Sequence, residues 1–171
     1  QGHPSNTHLP GVDSSSGSLG QGLSVANGAA LAARYEGLDS RYYVMIGDGE
    51  SQEGQIWEAA MTAAAQGLDN VCAIVDVNGI QLDGTVESVK SLGDLPAKWR
   101  AFGWNVIDID GHDLRAVDDA LTEAARTKGV PTTIISRTVK GKGVSFMENT
   151  AKYHGLAPTD EELTTALEEL R

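Results

Sequence analysis

The chain has 171 residues, 40% of them hydrophobic and 5% aromatic, with a formal net charge of −11. That length fits one domain with its own core, and the Ala- and Gly-rich composition suits packed α/β layers better than an aromatic-rich β-sandwich. The acidic balance argues against nucleic acid or an anionic membrane as partner, because both need basic surface; a phosphorylated ligand stays open if a metal ion carries the charge. The single cysteine, Cys72, excludes an intrachain disulfide and reads as a buried structural thiol inside Val71-Cys72-Ala73-Ile74-Val75. With no signal peptide and no long apolar span, a soluble cytoplasmic protein is the expectation.

Residues 1–18, QGHPSNTHLPGVDSSSGS, are rich in Gly, Pro, Ser and Asn and predict an extended loop. His3 and His8 stand out there only as polar loop residues. Leu19 to Glu36 carries Leu23, Ala26, Ala30, Leu31 and Ala33 near helical spacing and predicts a helix that Gly37 stops. The Gly17-Ser18-Leu19-Gly20-Gln21-Gly22 step is no dinucleotide fingerprint, since no strand precedes it.

The run Tyr42–Ile46 predicts a buried strand ending in the tight turn Gly47-Asp48-Gly49. A second strand, Val71 to Val77, ends at Asn78, and positions 50 to 77 hold 28 residues between Gly49 and Asn78. That suffices for a turn, a helix and a return strand, the content of one βαβ unit. The helix is predicted from Glu53 to Gln66, with Glu50 and Glu53 near its positive N-terminus. Adjacent parallel strands would bring Asp48 and Asn78 out at the same carboxyl edge, where open α/β sheets bind ligands. A carboxylate and an amide oxygen suit Mg²⁺, which completes its octahedron with phosphate oxygens and water. A carbonyl near Ile80 is within reach of the same cation, and Leu82 offers an apolar wall. Residues 80–84 read as loop.

Further on, Leu95 to Phe102 predicts a short helix and Trp104 to Ile109 a third strand. Asp113 is the expected N-cap of a helix to Lys128, with His112 a turn or cap residue. Thr132 to Val139, rich in β-branched residues, predicts a fourth strand. Lys140-Gly141-Lys142-Gly143 reads equally as a phosphate-binding loop or a solvated turn. Thr159-Asp160-Glu161-Glu162 predicts a capping box before a C-terminal helix. Alternating strands and helices imply a doubly wound parallel sheet with helices on both faces, in one domain over residues 1–171.

The assembled motifs resemble the thiamine-diphosphate-binding half of transketolase. They run from Gly2-His3-Pro4 and Gly17–Gly22 through Gly47-Asp48-Gly49 with Glu53-Gly54, Asn78-Gly79-Ile80 and Leu82-Asp83-Gly84, then GWNVIDIDGHD at 103–113, to His154-Gly155. The lysine–glycine loop and the length resemble the split form, in which this half and the pyrimidine-binding half are separate chains. The resemblance implies transfer of a two-carbon ketol unit from a ketose phosphate to an aldose phosphate. It implies thiamine diphosphate and Mg as cofactors, sugar phosphates as substrates, and a homodimer or heterotetramer. Asp48, Asn78 and the Ile80 carbonyl would be the metal ligands. Gly47 and Gly49 would let backbone approach the diphosphate, Gly17 and Leu19 would meet the aminopyrimidine, and Leu82 would lie beside the cofactor. His3 would grip a substrate hydroxyl. Glu53 would join the acidic link between cofactor sites at the subunit interface.

One departure concerns the family's Thr-His-x-x-His-Gly stretch. Here it reads Thr150-Ala151-Lys152-Tyr153-His154-Gly155, so only the second histidine, His154, remains. The resemblance also implies an upstream segment with further cofactor-binding histidines, making the domain N-terminally incomplete. The glutamate that activates the aminopyrimidine would come from the other half. Related readings are 1-deoxyxylulose-5-phosphate synthase and the thiamine component of a 2-oxoacid dehydrogenase, both opposed by Gly2-His3-Pro4. A non-catalytic, partner-binding protein is the alternative of another class.

Overall fold

The computed structural model describes residues 2–171. Four parallel strands form the central sheet: β1 (Tyr42–Gly47), β2 (Val71–Val77), β5 (Asn105–Asp110) and β6 (Thr132–Arg137), in the order β1-β2-β6-β5. Helices α1 (Gln21–Glu36), α2 (Gly54–Ala65) and α4 (Leu95–Ala101) cover one face, and α5 (Leu114–Arg126) covers the other. The chain steps from β1 to β2, passes to the outer strand β5, and turns back to β6. Right-handed crossovers then require α2 and α5 on opposite faces, and the packing agrees.

Period-two alternation along the strands divides the core. Val71, Ala73 and Val75 of β2, with Ile135 of β6, pack against Leu23, Ile56, Ala60 and Ala63. The intervening Cys72 and Ile74, with Ile134, Ile107 and Ile109, pack against Ala120 and Ala124. The second face is thinner and does not reach β1, where Tyr43 and Met45 stay exposed, Met45 at 67%. Alanines in α2 let it sit close to the sheet, and Trp57, Trp99, Phe102 and Trp104 fill the space beside α4.

Local rules explain where elements begin. Gly20 adopts φ 83°, a left-handed conformation that suits glycine, so α1 starts at Gln21 rather than Leu19. The helix predicted from Glu53 to Gln66 is α2, Gly54–Ala65; Glu53 is extended, and a separate 3₁₀ turn, Gly49–Gln52, precedes it. Asp113 caps α5 by accepting from Arg115 and Ala116, and the Thr159–Glu162 capping box opens α6 (Asp160–Glu169). The expected loop at 80–84 is instead a hairpin of β3 (Ile80–Gln81) and β4 (Gly84–Thr85), followed by α3 (Val86–Lys90). Thr85 caps α3 by accepting from Ser88 N–H, a start signal present in the sequence but short enough to pass as loop.

Among the described residues no helix is long and apolar enough to cross a membrane.

Two thermodynamic expectations follow from the core. Trp104 Nε1 donates to the Ala60 carbonyl at 2.9 Å, whereas Trp99 Nε1 is buried with no acceptor among the described residues. Trp104→Phe should therefore cost about 1 kcal/mol more in urea unfolding than Trp99→Phe. The reverse order would mean that the Trp99 N–H finds a partner in solution. Burial pushes the Cys72 thiol up to about 11, so a thiol reagent at pH 8 should leave the folded chain unmodified and label it only in guanidinium.

Candidate functional site

β1 and β2 pair in parallel with Gly47 opposite Asp76, which places the turns after both strands at one edge of the sheet. The Asp48 amide donates to the Asp76 carbonyl at 3.0 Å, extending that pairing by one residue. The Asp48 side chain then turns inward and is 3% exposed. Its Oδ1 accepts from Gly49 N–H at 2.8 Å and its Oδ2 from Gly79 N–H at 2.6 Å. Burial raises its pKa above the ordinary carboxylate value, and the Gly79 and Gly49 N–H groups oppose that rise. One carboxylate thus joins the Gly-Asp-Gly turn to the Asn78–Gly79 turn.

Asn78 is held by what its amide can do. Its Nδ2 donates to Asp76 Oδ2 at 2.9 Å, and its Oδ1 accepts from Ile80 N–H at 3.0 Å. The other Asp76 oxygen accepts from the Thr138 hydroxyl. With its Nδ2 on Asp76, the Asn78 amide turns its carbonyl oxygen to the Ile80 side. Ile80 opens the β3–β4 hairpin, whose tip carries Leu82 at 64% exposure. The hairpin lies against the Gly-Asp-Gly turn: a Cβ on Gly49 would come within 3.0 Å of the Gln81 Cβ, which only glycine avoids. Gln52 holds the same unit by donating to Gln81 and to the Lys90 carbonyl.

The loop before α1 reaches this edge as well. Gly20 N–H donates to Glu50 Oε1 at 2.8 Å, and Gly47 N–H donates to Glu50 Oε2 at 3.1 Å. Gly17 and Leu19 lie just upstream, with Leu19 60% exposed. The His3 ring lies against Gly17, where a Cβ would meet it at 3.1 Å, so these two candidates share one place. Glu53 packs its Cβ beside Gly20 and is exposed. Gly17, Leu19, Gly47, Asp48, Gly49, Asn78, Ile80 and Leu82 therefore cluster on linked turns. His154 is not hydrogen-bonded to them: it lies exposed in the Lys152–His154 turn, and none of the site's side-chain hydrogen bonds reaches it. That segment is instead tied to α6, where Tyr153 and Lys152 both donate to Glu162, whose carboxyl falls to about 2.

A cleft opens between the ends of β2 and β6, lined by Asp76, Asn78, His112, Thr138, Lys140 and Lys142 among others. Two lysines in an acidic chain make it a favourable place for anionic groups. By sequence alone Lys140 and Lys142 read two ways, and Asp76 and Thr138 lie in strand-like runs with no motif of their own. Only the return of β6 beside β2 brings these four together. His112 is a loop fastener: its Nε2 accepts from Val139 N–H at 2.8 Å, fixing the start of the lysine loop.

The residues fit a Mg²⁺–diphosphate group. The donor set is one carboxylate, one amide oxygen and backbone carbonyls, all hard oxygens. Each Asp48 oxygen uses one acceptor site on an N–H and keeps another. The buried carboxylate has lost its hydration, which a dication would replace.

The family described as "Transketolase, thiamine diphosphate binding domain" matches residues 1–170. The 6-deoxy-6-sulfo-D-fructose transketolase subunit SqwG of Clostridium sp. (strain MSTE9) is 46% identical over 94% of this chain and 58% of its own length. One of the subunits of the apulose-4-phosphate transketolase of Phocaeicola vulgatus is 43% identical over 99% of this chain and 60% of its own. This chain thus spans about three fifths of those curated relatives. The crystal structure of transketolase from Campylobacter jejuni superposes with a TM-score of 0.89 at 33% identity, covering 98% of this chain and 27% of that one.

The fastening role of His112 is open to measurement. His112→Ala should speed hydrogen exchange at the Val139 amide roughly fivefold, the weight of a hydrogen bond of about 1 kcal/mol. Exchange at β2 amides should stay unchanged. Equal exchange at Val139 in both proteins would show that the ring does not hold the loop.

Proposed function

The chain belongs to the transketolase family as a thiamine diphosphate-binding domain, and from that premise we propose that it is the cofactor-anchoring half of a transketolase. The reaction is transfer of a two-carbon ketol unit from a ketose phosphate to an aldose phosphate, performed with a pyrimidine-binding half in a separate chain. The observation that carries this reading is the Asp48 carboxylate bonded to the Gly79 amide, which joins the two turns of the diphosphate signature at one sheet edge.

When bound, thiamine diphosphate supplies the nucleophilic carbon and the electron sink. The work of this chain is to hold and orient. Asp48, Asn78 and the Ile80 carbonyl would ligate Mg²⁺, and Asp76 would keep the Asn78 amide turned so that its oxygen is the ligand. Gly47 and Gly49 would admit the diphosphate to close approach, and Lys140 and Lys142 would offset its charge. Gly17 and Leu19 would meet the aminopyrimidine, and Leu82 would exclude water beside the cofactor. Glu53 would face the subunit interface. His3, against Gly17, would grip a substrate hydroxyl, and His154, at the second histidine position of the C-terminal motif, would be a further catalytic candidate. The relatives named as transketolase subunits support a partner in a separate chain; the assembly would be a homodimer or a heterotetramer. A free, buried Cys72 suits the reducing cytoplasm.

Calorimetry with thiamine diphosphate tests the anchor. Wild type should bind only with Mg²⁺ present, and Asp48→Ala should weaken that binding by roughly a hundredfold or more, since loss of even an outer-shell partner costs up to about a hundredfold. Far-UV circular dichroism checks that the variant is folded. Equal affinity in a folded variant would remove Asp48 from the site. Turnover of a ketose phosphate on adding the pyrimidine-binding half would establish the reaction.

A further inference from the structure

We propose that Glu50 is a positioning residue that sets the distance between the aminopyrimidine loop and the diphosphate turn, an inference that rests on the cofactor reading above. Its place in the sequence suggests a charge at the N-terminus of α2, but its carboxylate turns elsewhere. One oxygen accepts from Gly20 N–H at 2.8 Å and the other from Gly47 N–H at 3.1 Å. Those two amides belong to segments 27 residues apart in sequence (20 to 47), each opening or closing an element at the site.

The need for this contact lies in how α1 starts. A helix leaves its first N–H groups without intrahelical partners, and a side-chain oxygen at the N-cap usually meets one of them. Here the N-cap is Gly20, which has no side chain, and the first turn of α1 carries no acidic residue. Glu50 supplies both the acceptor and the negative charge from another element. Gly20 cannot gain its own cap: its φ is 83°, and a Cβ would press on the Glu53 Cβ at 3.1 Å. The loop carrying Gly17 and Leu19 is thus fastened to the Gly-Asp-Gly turn through one carboxylate, while Asp48 separately fastens that turn to Asn78. Neither of these Glu50 hydrogen bonds goes to a proposed metal ligand.

The two fastenings predict different losses for ligands of different reach. Thiamine diphosphate spans both loops, whereas inorganic diphosphate engages only the turn. With Mg²⁺, Glu50→Ala should weaken thiamine diphosphate binding roughly tenfold or more, as expected when a charged acceptor is lost, and leave inorganic diphosphate within about twofold. Glu50→Gln keeps a single acceptor oxygen and should fall between. Equal losses for both ligands, or none for either, would overturn the proposal. A wild-type chain that binds neither ligand would instead remove the parent reading and this inference with it. Hydrogen exchange gives a readout that needs no ligand. The Gly20 and Gly47 amides should both exchange faster in Glu50→Ala than in wild type, and unchanged rates at both would refute the fastening directly.

Discussion

Parallel pairing of β1 with β2, with Gly47 opposite Asp76, is the constraint on which the site depends. It sets the Gly-Asp-Gly turn beside the Asn78–Gly79 turn, close enough for Asp48 to accept from Gly79 N–H. A slip of one residue would turn the side chains of β1 to the wrong faces and carry Asp48 out of reach. The register is held by the apolar residues themselves. Ile46 is buried on the α2 side while Met45 points away, so a slip would expose Ile46 and drive the longer Met45 into its place.

From that pairing the site grows by hydrogen bonds that each link two elements. Asp48 joins the turns after β1 and β2. Asp76 joins Asn78 to Thr138 after β6, and His112, following β5, holds the amide of Val139. Glu50 brings in the start of α1. Every strand of the parallel sheet therefore contributes its carboxyl end to one network, the property that makes this edge of an open α/β sheet a ligand site. The penalty of the arrangement falls on the buried Asp48. Its desolvation destabilises the fold, and a cation is the group best able to relieve it.

Electrostatics adds a local reversal. The chain is acidic overall at −11, yet the cleft between β2 and β6 presents Lys140 and Lys142. A uniformly negative surface would repel a diphosphate. Two lysines at one edge, with acidic residues on outer helices such as α6, confine attraction for anions to that edge. The exposed Tyr43 and Met45 beside it mark a face of the sheet that no helix of the described residues covers.

Much of this is readable from residues alone. Apolar runs locate β1 and β2 within a residue, Gly37 ends α1, and Asp113 and Thr159 mark the starts of α5 and α6, because these signals act over a few neighbouring residues. The Gly-Asp-Gly to Asn78 spacing and the matching motifs identify the family and the fold class. Tertiary structure decides what depends on distant partners. The hairpin at Ile80–Thr85 forms where Gln52 and Gly49 receive it, and a 3₁₀ turn ahead of α2 carries Glu50 to Gly20. Asp76, Thr138 and the lysine loop meet only because β6 returns beside β2. His154, the one motif histidine near the end, has no hydrogen bond to the cluster, and Lys152 and Tyr153 bind its segment to α6. A sequence specifies which chemical groups are available and how its local elements begin and end. Which groups share a site is settled by strand order and long-range hydrogen bonds, and spacing along the chain carries no record of those.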